Sequence, residues 1–203
     1  MIFYAFRFFP NEKMEGMIMC PDGTQKWYKN GEIHRDGDLP ATIFNNGTQI
    51  WAQHGRAHRD GDLPAVISVN GDKEWWQNGQ KHRNNDLPAI VRTDGYKSWY
   101  KNGEIHRDGD LPAVITEEGA KYWFKNGKFH RDGGLPALEL NRTQIWYKND
   151  ICRSDDKPAS KHIDCRQRRY KNGKYRLVDE PASIHAEQMR INRDRFPFFC
   201  VLL

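Results

Sequence analysis

The sequence predicts an all-β fold, an elongated single-domain stack of about seven 24-residue antiparallel hairpin repeats with a cap at each end. Three observations predict it. Tryptophan returns every 24 residues, Asn-Gly turns follow several of the tryptophans, and no window shows the 3.6-residue apolar period of a helix. The repeated tryptophans are Trp27, Trp51, Trp75, Trp99 and Trp123, followed after 23 residues by Trp146.

The unit around Trp99 shows how the hairpin of one repeat is expected to form. Residues 98–101 are rich in aromatic side chains and favour a β-strand. Asn102-Gly103 follows, which is the strongest short hairpin signal because both turn residues must accept a positive φ. Residues 104–107 are then expected to form the return strand.

The second half of the same unit predicts another turn and a third strand. Asp108-Gly109-Asp110 is typical of a turn, and residues 111–115 are expected to form a short strand with Pro112 at its start, because proline has no amide to donate. If each unit adds two strands to one continuous sheet, it lengthens the stack by about 10 Å, and seven units give a rod of about 70 Å.

The period predicts ladders of tryptophan, leucine and Pro-Ala side chains along the stack, with one histidine ladder beside them. The prolines of this lattice are Pro40, Pro64, Pro88, Pro112 and Pro136, and the histidines are His34, His58, His82, His106 and His130. We interpret each histidine as a half-buried side chain that bonds the backbone of a turn. Imidazoles about 10 Å apart are too distant to share one zinc ion.

The repeat boundaries predict four segments. Residues 1–22 form an N-terminal β cap, residues 23–145 hold five regular repeats, residues 146–183 hold two degenerate repeats, and residues 184–203 form a basic and apolar C-terminal cap or tail. Terminal repeats are expected to be atypical because they cap the stack. In the degenerate repeats, Arg153 and Arg176 stand where histidine is expected.

Charge is concentrated at the C-terminal end. Residues 161–203 carry ten Lys or Arg and five acids, which accounts for the whole formal net charge of +5 over 203 residues. Contact with an anionic surface is therefore expected there. Its candidate residues are Arg166, Arg168, Arg169, Arg190, Arg193 and Arg195.

The last four residues match a prenylation motif. Cys200-Val201-Leu202-Leu203 fits C-a-a-X, with the terminal leucine associated with geranylgeranylation, so Cys200 is a candidate lipidation site. The alternative is that the apolar tail covers the final repeat. The four cysteines are scattered, which predicts reduced thiols and a cytoplasmic setting with no secretory signal or membrane span.

The unit 99–109, W-Y-K-N-G-E-I-H-R-D-G, resembles the MORN repeat (membrane occupation and recognition nexus) over residues 23–183. It departs from that repeat in having arginine after the histidine and an added Leu-Pro-Ala segment. It looks more like the divergent W-x-x-N-G-x-x-H-R-x-x-G-x-P-A repeats of giant DNA viruses, especially marseillevirus-like ones, and of some bacteria. The resemblance implies a non-enzymatic stacked β-protein that binds proteins or membranes.

Two other interpretations of the repeated motifs are weaker. His-Arg-Asp occurs in protein kinases once, with further motifs absent here, whereas four copies on one lattice indicate architecture. The Asp-Gly-Asp turns offer carboxylates to calcium, but Asx turns explain the same residues, and no metal or cofactor is predicted.

The sequence therefore predicts a non-enzymatic scaffold that mediates protein–protein interaction with an unidentified partner, including a viral structural or host-interaction role. It is expected to be monomeric or weakly self-associating. The first alternative is a peripheral membrane protein that uses its basic, prenylated C-terminus on an anionic membrane. The second is nucleic-acid binding through the basic C-terminal segment.

Overall fold

The computed structural model describes residues 13–141 and 143–152 together with strand residues 160–162, 167–168, 170–171 and 174–175. These residues form β-strands, turns and bends without a helix, so the predicted all-β repeat stack is confirmed. No described segment forms a helix that is long and apolar enough to cross a membrane.

Most strands are only two residues long. The first fourteen are β1 (Gly16–Met19), β2 (Gln25–Lys29), β3 (Glu32–Ile33), β4 (Thr42–Ile43), β5 (Gln49–Ile50), β6 (Ala52–Gln53), β7 (Arg56–Ala57), β8 (Val66–Ile67), β9 (Lys73–Glu74), β10 (Trp76–Gln77), β11 (Gln80–Lys81), β12 (Ile90–Val91), β13 (Lys97–Ser98) and β14 (Tyr100–Lys101). The others are β15 (Glu104–Ile105), β16 (Val114–Ile115), β17 (Lys121–Tyr122), β18 (Phe124–Lys125), β19 (Lys128–Phe129), β20 (Leu138–Leu140), β21 (Thr143–Ile145), β22 (Tyr147–Lys148), β23 (Ile151–Cys152), β24 (Ser160–His162), β25 (Gln167–Arg168), β26 (Tyr170–Lys171) and β27 (Lys174–Tyr175).

Each repeat adds two strands to one continuous antiparallel sheet, as the sequence predicts. This main sheet has 15 strands in the order β1-β2-β4-β5-β8-β9-β12-β13-β16-β17-β20-β21-β24-β25, with β3 paired to β2. The other strands of the described residues form six separate two-stranded hairpins, the first being β6-β7 and the last β26-β27. The molecule is therefore a main sheet with a row of small hairpins along it.

The strand boundaries around Trp99 differ from those expected. Trp99 lies between β13 and β14, where the chain passes from the main sheet into a hairpin, and its amide donates to the Ala113 carbonyl at 2.8 Å. The return strand ends at Ile105, and the third strand is only Val114–Ile115, so Pro112 precedes it rather than starting it. The chain changes sheets at these points, which shortens every strand.

The Asn-Gly turns have the geometry that their sequence predicts. Asn78 and Gly79 have φ of 51° and 80°, as required of a type I′ hairpin turn. The Gly79 amide donates to the Ala57 carbonyl of the preceding hairpin at 2.9 Å. A Cβ on Gly79 would lie 3.4 Å from the Cβ of Arg56, so the turn leaves little space for a side chain between hairpins.

The core lies between the main sheet and the hairpins. Val114, Tyr122, Leu138 and Ile145 are buried and are successive cross-strand partners on one face of the sheet. The partly buried hairpin side chains Ile105, Phe124, Phe129 and Tyr147 pack against them. One alanine of each regular repeat is fully buried at the junction with the tryptophan: Ala41, Ala65, Ala89, Ala113 and Ala137.

Candidate functional site

The repeated tryptophans are bonded to the repeat before them. Trp51, Trp75 and Trp99 are buried, and the indole nitrogen of each donates to the carbonyl oxygen of an aspartate 13 residues earlier. For Trp75 the acceptor is the Asp62 carbonyl at 3.0 Å. Asp62 has φ of 55°, the left-handed conformation that aspartate tolerates in turns.

The repeated arginines connect the same two repeats through their side chains. Arg83 stacks over the Trp75 ring at 3.7 Å from the centroid, and its Nε and Nη2 donate to the two carboxylate oxygens of Asp62 at 2.8 and 2.9 Å. Its Nη1 donates to the Pro88 carbonyl at 3.3 Å. A planar guanidinium can stack and form the bidentate pair at once, which a lysine ammonium cannot do.

This arrangement recurs along the stack. The stacked pairs are Arg35–Trp27, Arg59–Trp51, Arg83–Trp75, Arg107–Trp99 and Arg131–Trp123. The arginine–carboxylate pairs are Arg59–Asp38, Arg83–Asp62, Arg107–Asp86 and Arg131–Asp110. The prolines Pro40, Pro64, Pro88, Pro112 and Pro136 supply the carbonyl acceptors.

The next pair along the chain lacks both partners. Gly134 stands where the other repeats have the paired aspartate, and Ser154, eight residues after Trp146, stands where they have the arginine. The Trp146 indole still donates to the Gly134 carbonyl at 3.0 Å. The indole bond therefore forms without the arginine–carboxylate pair.

The histidines hold successive repeats together as well. His106 Nδ1 accepts from the Asn126 amide at 3.0 Å, and its Nε2 bonds Asp108 Oδ1 at 2.8 Å. The Nδ1 position therefore accepts, and the proton lies on Nε2, facing the carboxylate. His34, His58 and His82 likewise accept from a backbone amide 20 residues later, and His130 Nδ1 lies 2.8 Å from the Asn149 side-chain oxygen.

The carboxylates of the repeat are occupied by these contacts. Hydrogen bonds from Arg59, Arg83 and Arg107 lower the pKa of Asp38, Asp62 and Asp86 respectively. Hydrogen bonds from His106 and then Lys101 lower the pKa of Asp108, and those from Lys29 and then His34 lower that of Asp36. Within the described part of the chain, no three His, Cys, Asp or Glu side chains are grouped so that they could hold a metal ion.

The leucines of the repeat lie exposed instead of in the core. Each occupies the position after the second turn and leaves 38% to 48% of its surface in solvent. The five are Leu39, Leu63, Leu87, Leu111 and Leu135, which we call the leucine ladder. A ladder was predicted, but its exposure was not, because Leu-Pro-Ala gives no signal of which side chain points outwards. A shallow cleft beside Leu63 is lined by Trp75, Gln77 and His82.

One buried polar cluster departs from the repeat. Lys81 Nζ lies 3.5 Å from Glu74 Oε2, and these side chains are only 15% and 25% exposed. Burial lowers the pKa of Lys81 and raises that of Tyr100, over whose ring the ammonium lies at 5.5 Å. The matching positions carry no charge in either neighbouring repeat: they are Ile50 and Ala57 in the preceding repeat and Ser98 and Ile105 in the following one. Comparing the repeats position by position is the sequence signal that finds this cluster.

The candidate binding and lipidation residues at the C-terminal end are almost all beyond the residues that the structure describes. Arg166, Arg169, Arg190, Arg193, Arg195 and Cys200 lie outside the described residues, and of Arg168 only the backbone, in strand β25, is described. The expected anionic-surface and lipidation sites therefore stay predictions.

No protein-family model matches the chain, and no curated protein is significantly similar to it. The likeness to MORN repeats therefore stays a prediction from the motif.

Proposed function

We propose that this protein is a non-enzymatic repeat scaffold that binds a protein partner along the leucine ladder. The observation that carries the proposal is the row of five half-exposed leucines, one in each regular repeat and all in the same position of the unit. A regular row of exposed apolar side chains among polar residues favours a protein partner, because binding removes their apolar surface from water.

The polar groups of the repeat support a binding role over a catalytic one. The arginine, its aspartate, the histidine and the indole nitrogen of the unit are all bonded to a neighbouring repeat. A catalyst needs a nucleophile, base or acid that can reach a substrate in a defined geometry. The repeated groups instead fix the spacing at which the leucines are presented.

The proposal is tested with a variant that keeps the fold and changes the ladder. Leu63→Asp, Leu87→Asp and Leu111→Asp are combined in one chain, and Val69→Asp is the control because Val69 is 67% exposed in the turn between β8 and β9 and is not part of the ladder. In quantitative affinity capture from the natural cell, we expect the triple variant to lose its main partner at least ~10-fold while the control keeps it. Recovery of the same proteins by both variants would refute the proposal.

A further inference from the structure

We infer that the first repeat holds a binding site for an aspartate in a turn of another protein, with Arg35 binding the carboxylate and Trp27 the backbone carbonyl. The site reproduces the contact that joins successive repeats inside the stack. It is separate from the leucine ladder, so the inference can fail without the proposed function, and the proposed function can fail without it.

Inside the stack, the tryptophan and the arginine of one repeat bind a single aspartate of the repeat before it. Arg59 Nε and Nη2 donate to the two carboxylate oxygens of Asp38 at 2.7 and 2.9 Å, and the Trp51 indole nitrogen donates to the carbonyl of the same aspartate at 3.1 Å. The following repeats make the same contacts to Asp62, Asp86 and Asp110. The two side chains therefore form a receptor for one aspartate.

The first repeat has the same receptor without this aspartate. Arg35 stacks over the Trp27 ring at 3.7 Å from the centroid, and its Nη1 donates to the Pro40 carbonyl at 3.1 Å, so the guanidinium is already held by the contacts that the other repeats use. Among the described residues, none accepts a hydrogen bond from Arg35 Nε and Nη2 or from the Trp27 indole nitrogen. Both side chains are half-buried, and none of these three nitrogens is shut off from solvent.

The N-terminal cap contacts the rest of the first repeat but not these nitrogens. Strand β1 pairs with β2 in the main sheet, and the Met14 carbonyl accepts from the Gly31 amide of the first hairpin at 2.9 Å. Met14 lies 21 residues before Arg35, where the other repeats have the paired aspartate, and it has no carboxylate. The cap therefore continues the sheet and the hairpins and leaves out the aspartate contact between them.

The acidic side chains near the first repeat are bonded to other groups. Glu15 accepts from the backbone amide of a residue in the first hairpin turn, and Asp22 accepts from a threonine in its own turn. Asp36 is bonded by a lysine and a histidine. The carboxylate that fits Arg35 must therefore come from outside the described part of this chain.

The geometry of the donors favours an aspartate within a polypeptide over a free anion. A planar guanidinium fork binds the two oxygens of a carboxylate together. An indole nitrogen has one hydrogen to donate, and in the other repeats it goes to the backbone carbonyl of the bound aspartate. A free carboxylate can satisfy only the guanidinium. Because Asp38 binds with a φ of 53°, the expected ligand is an aspartate in a turn.

A different protein is the expected source of this aspartate. In the described residues, each aspartate with this geometry is already bound by the arginine of the next repeat, so a second copy would have to break one of its own contacts to supply one. Gly134 stands at the next such position and has no carboxylate. The described repeats of a second copy therefore match the site poorly.

NMR titration of the isotopically labelled full chain with a peptide that has blocked ends tests the inference. The probe is Asp-Gly-Asp-Leu-Pro-Ala, the sequence of residues 36–41, and the control is Asp-Gly-Asn-Leu-Pro-Ala. The chain has seven tryptophans, and the indole N–H signal that Trp27→Phe removes is that of Trp27. We expect this indole signal alone to shift saturably, with a dissociation constant on the order of 1 mM, and the control peptide to bind at least ~10-fold more weakly.

Matched arginine variants show whether the guanidinium fork binds the peptide. Arg35→Lys keeps the charge but loses the fork, so we expect it to weaken binding at least ~10-fold. Arg56→Lys should leave the affinity unchanged, because Arg56 is exposed on hairpin strand β7, and circular dichroism checks that both variants fold. Equal binding of the two peptides, of acetate or of inorganic phosphate, or no saturable shift of the Trp27 signal up to ~20 mM probe, would overturn the inference.

Two acids outside the described residues are the competing ligands. Glu12 is the only acid in residues 1–12 of the same chain, and Asp156 lies two residues before Pro158, as Asp38 lies before Pro40, so it could come from a second copy. Removing a competing ligand should strengthen binding of the probe. A rise in affinity of ~10-fold or more in Glu12→Gln or in Asp156→Asn would assign the site to that acid and overturn its assignment to another protein, whereas unchanged affinity in both supports it.

Discussion

From Arg59 to Arg131, each repeated arginine joins two repeats through its planar guanidinium group, and these contacts stabilise the stack. Arg107 stacks over Trp99, forms a bidentate pair with Asp86 and donates to the Pro112 carbonyl. An exposed ion pair alone contributes little to stability. Here the guanidinium is largely buried under these contacts, with its side chain 14% exposed, so the three contacts act together.

The first prediction concerns Arg107→Lys. Lysine keeps the charge but cannot stack and form the bidentate pair at once, so we expect the free energy of unfolding to fall by about 1–2 kcal/mol. The measurement is urea denaturation, with Arg56→Lys as the control because Arg56 is exposed on a hairpin strand. Equal stability of the two variants would show that the stacked pair adds nothing.

The second prediction concerns acid denaturation. Hydrogen bonds from arginine lower the folded-state pKa of Asp38, Asp62 and Asp86 below the unfolded value, which lies near ~3.9. The stabilisation from these groups is therefore present above the unfolded pKa and is lost as the pH falls through the folded pKa. We expect the urea midpoint to decline below about pH 4 in the wild-type chain.

Asp62→Asn is the matching variant for the pH experiment. Asparagine accepts the positive φ of this position but carries no titrating charge. The variant should be less stable at neutral pH, and its urea midpoint should depend less on pH between 5 and 2. An unchanged pH dependence would mean that Asp62 does not contribute to the acid transition.

At the scale of the elements, the sequence predicted the hairpin turns but not the ends of the strands. Asn78-Gly79 could be found because positive φ at two successive residues is a local requirement. The point at Trp99 where the chain leaves the main sheet could not be predicted, because it depends on a hydrogen bond to Ala113. The Arg107–Asp86 pair could not be predicted either, because its two residues are 21 positions apart. Such contacts are set by the stacking of whole repeats, which local propensity does not describe.

The third prediction concerns the buried Glu74–Lys81 pair. Glu74→Ile alone leaves the Lys81 ammonium in a buried position beside Arg92, and we expect a loss of about 2–3 kcal/mol in the free energy of unfolding. The double variant Glu74→Ile, Lys81→Ile combines Ile50 of the preceding repeat with Ile105 of the following one. It should be more stable than Glu74→Ile, because no ammonium is left in the buried position, but less stable than the wild-type chain by about 1 kcal/mol, because the buried Trp76 indole loses its bond to Glu74.

Chemical denaturation of both single variants and the double variant completes the cycle. Losses that simply add in the double variant would show that Glu74 and Lys81 do not interact. A double variant that is stable but melts with lower cooperativity would instead indicate that the pair specifies how these two repeats pack.

At the scale of the molecule, the 24-residue period predicted the stack and excluded single-site interpretations of His-Arg-Asp. It did not predict the surface that the stack presents. Leu87 and Trp75 are both large and apolar and recur with the same period, yet only the tryptophan is buried. Trp75 is kept from solvent by the bond from its indole nitrogen to the Asp62 carbonyl and by Arg83, which stacks over its ring. Both are tertiary contacts. A period therefore identifies the repeated positions but not their exposure.

The fourth prediction follows from the same period. Deletion of residues 49–72 removes 24 residues and joins Thr48 to Lys73. The bonds of Trp75 and Arg83 to Asp62 can then form to Asp38, which has the same φ and the same role. We expect a folded chain that melts cooperatively at a lower temperature, because the stability of a repeat stack is close to a sum over repeats and their interfaces.

The deletion also has a geometric readout and a matched control. The longest dimension measured by small-angle X-ray scattering should shorten by about 10 Å, the rise of two strands. Deletion of residues 49–60 removes half as many residues but breaks the period, because Trp51 is lost while the leucine and alanine of its repeat remain. We expect that chain to lose its cooperative transition. If it melted at or above the temperature of the 24-residue deletion, the stability of the molecule would depend on length alone and not on the period that places Trp75 and Arg83 against an aspartate of the preceding repeat.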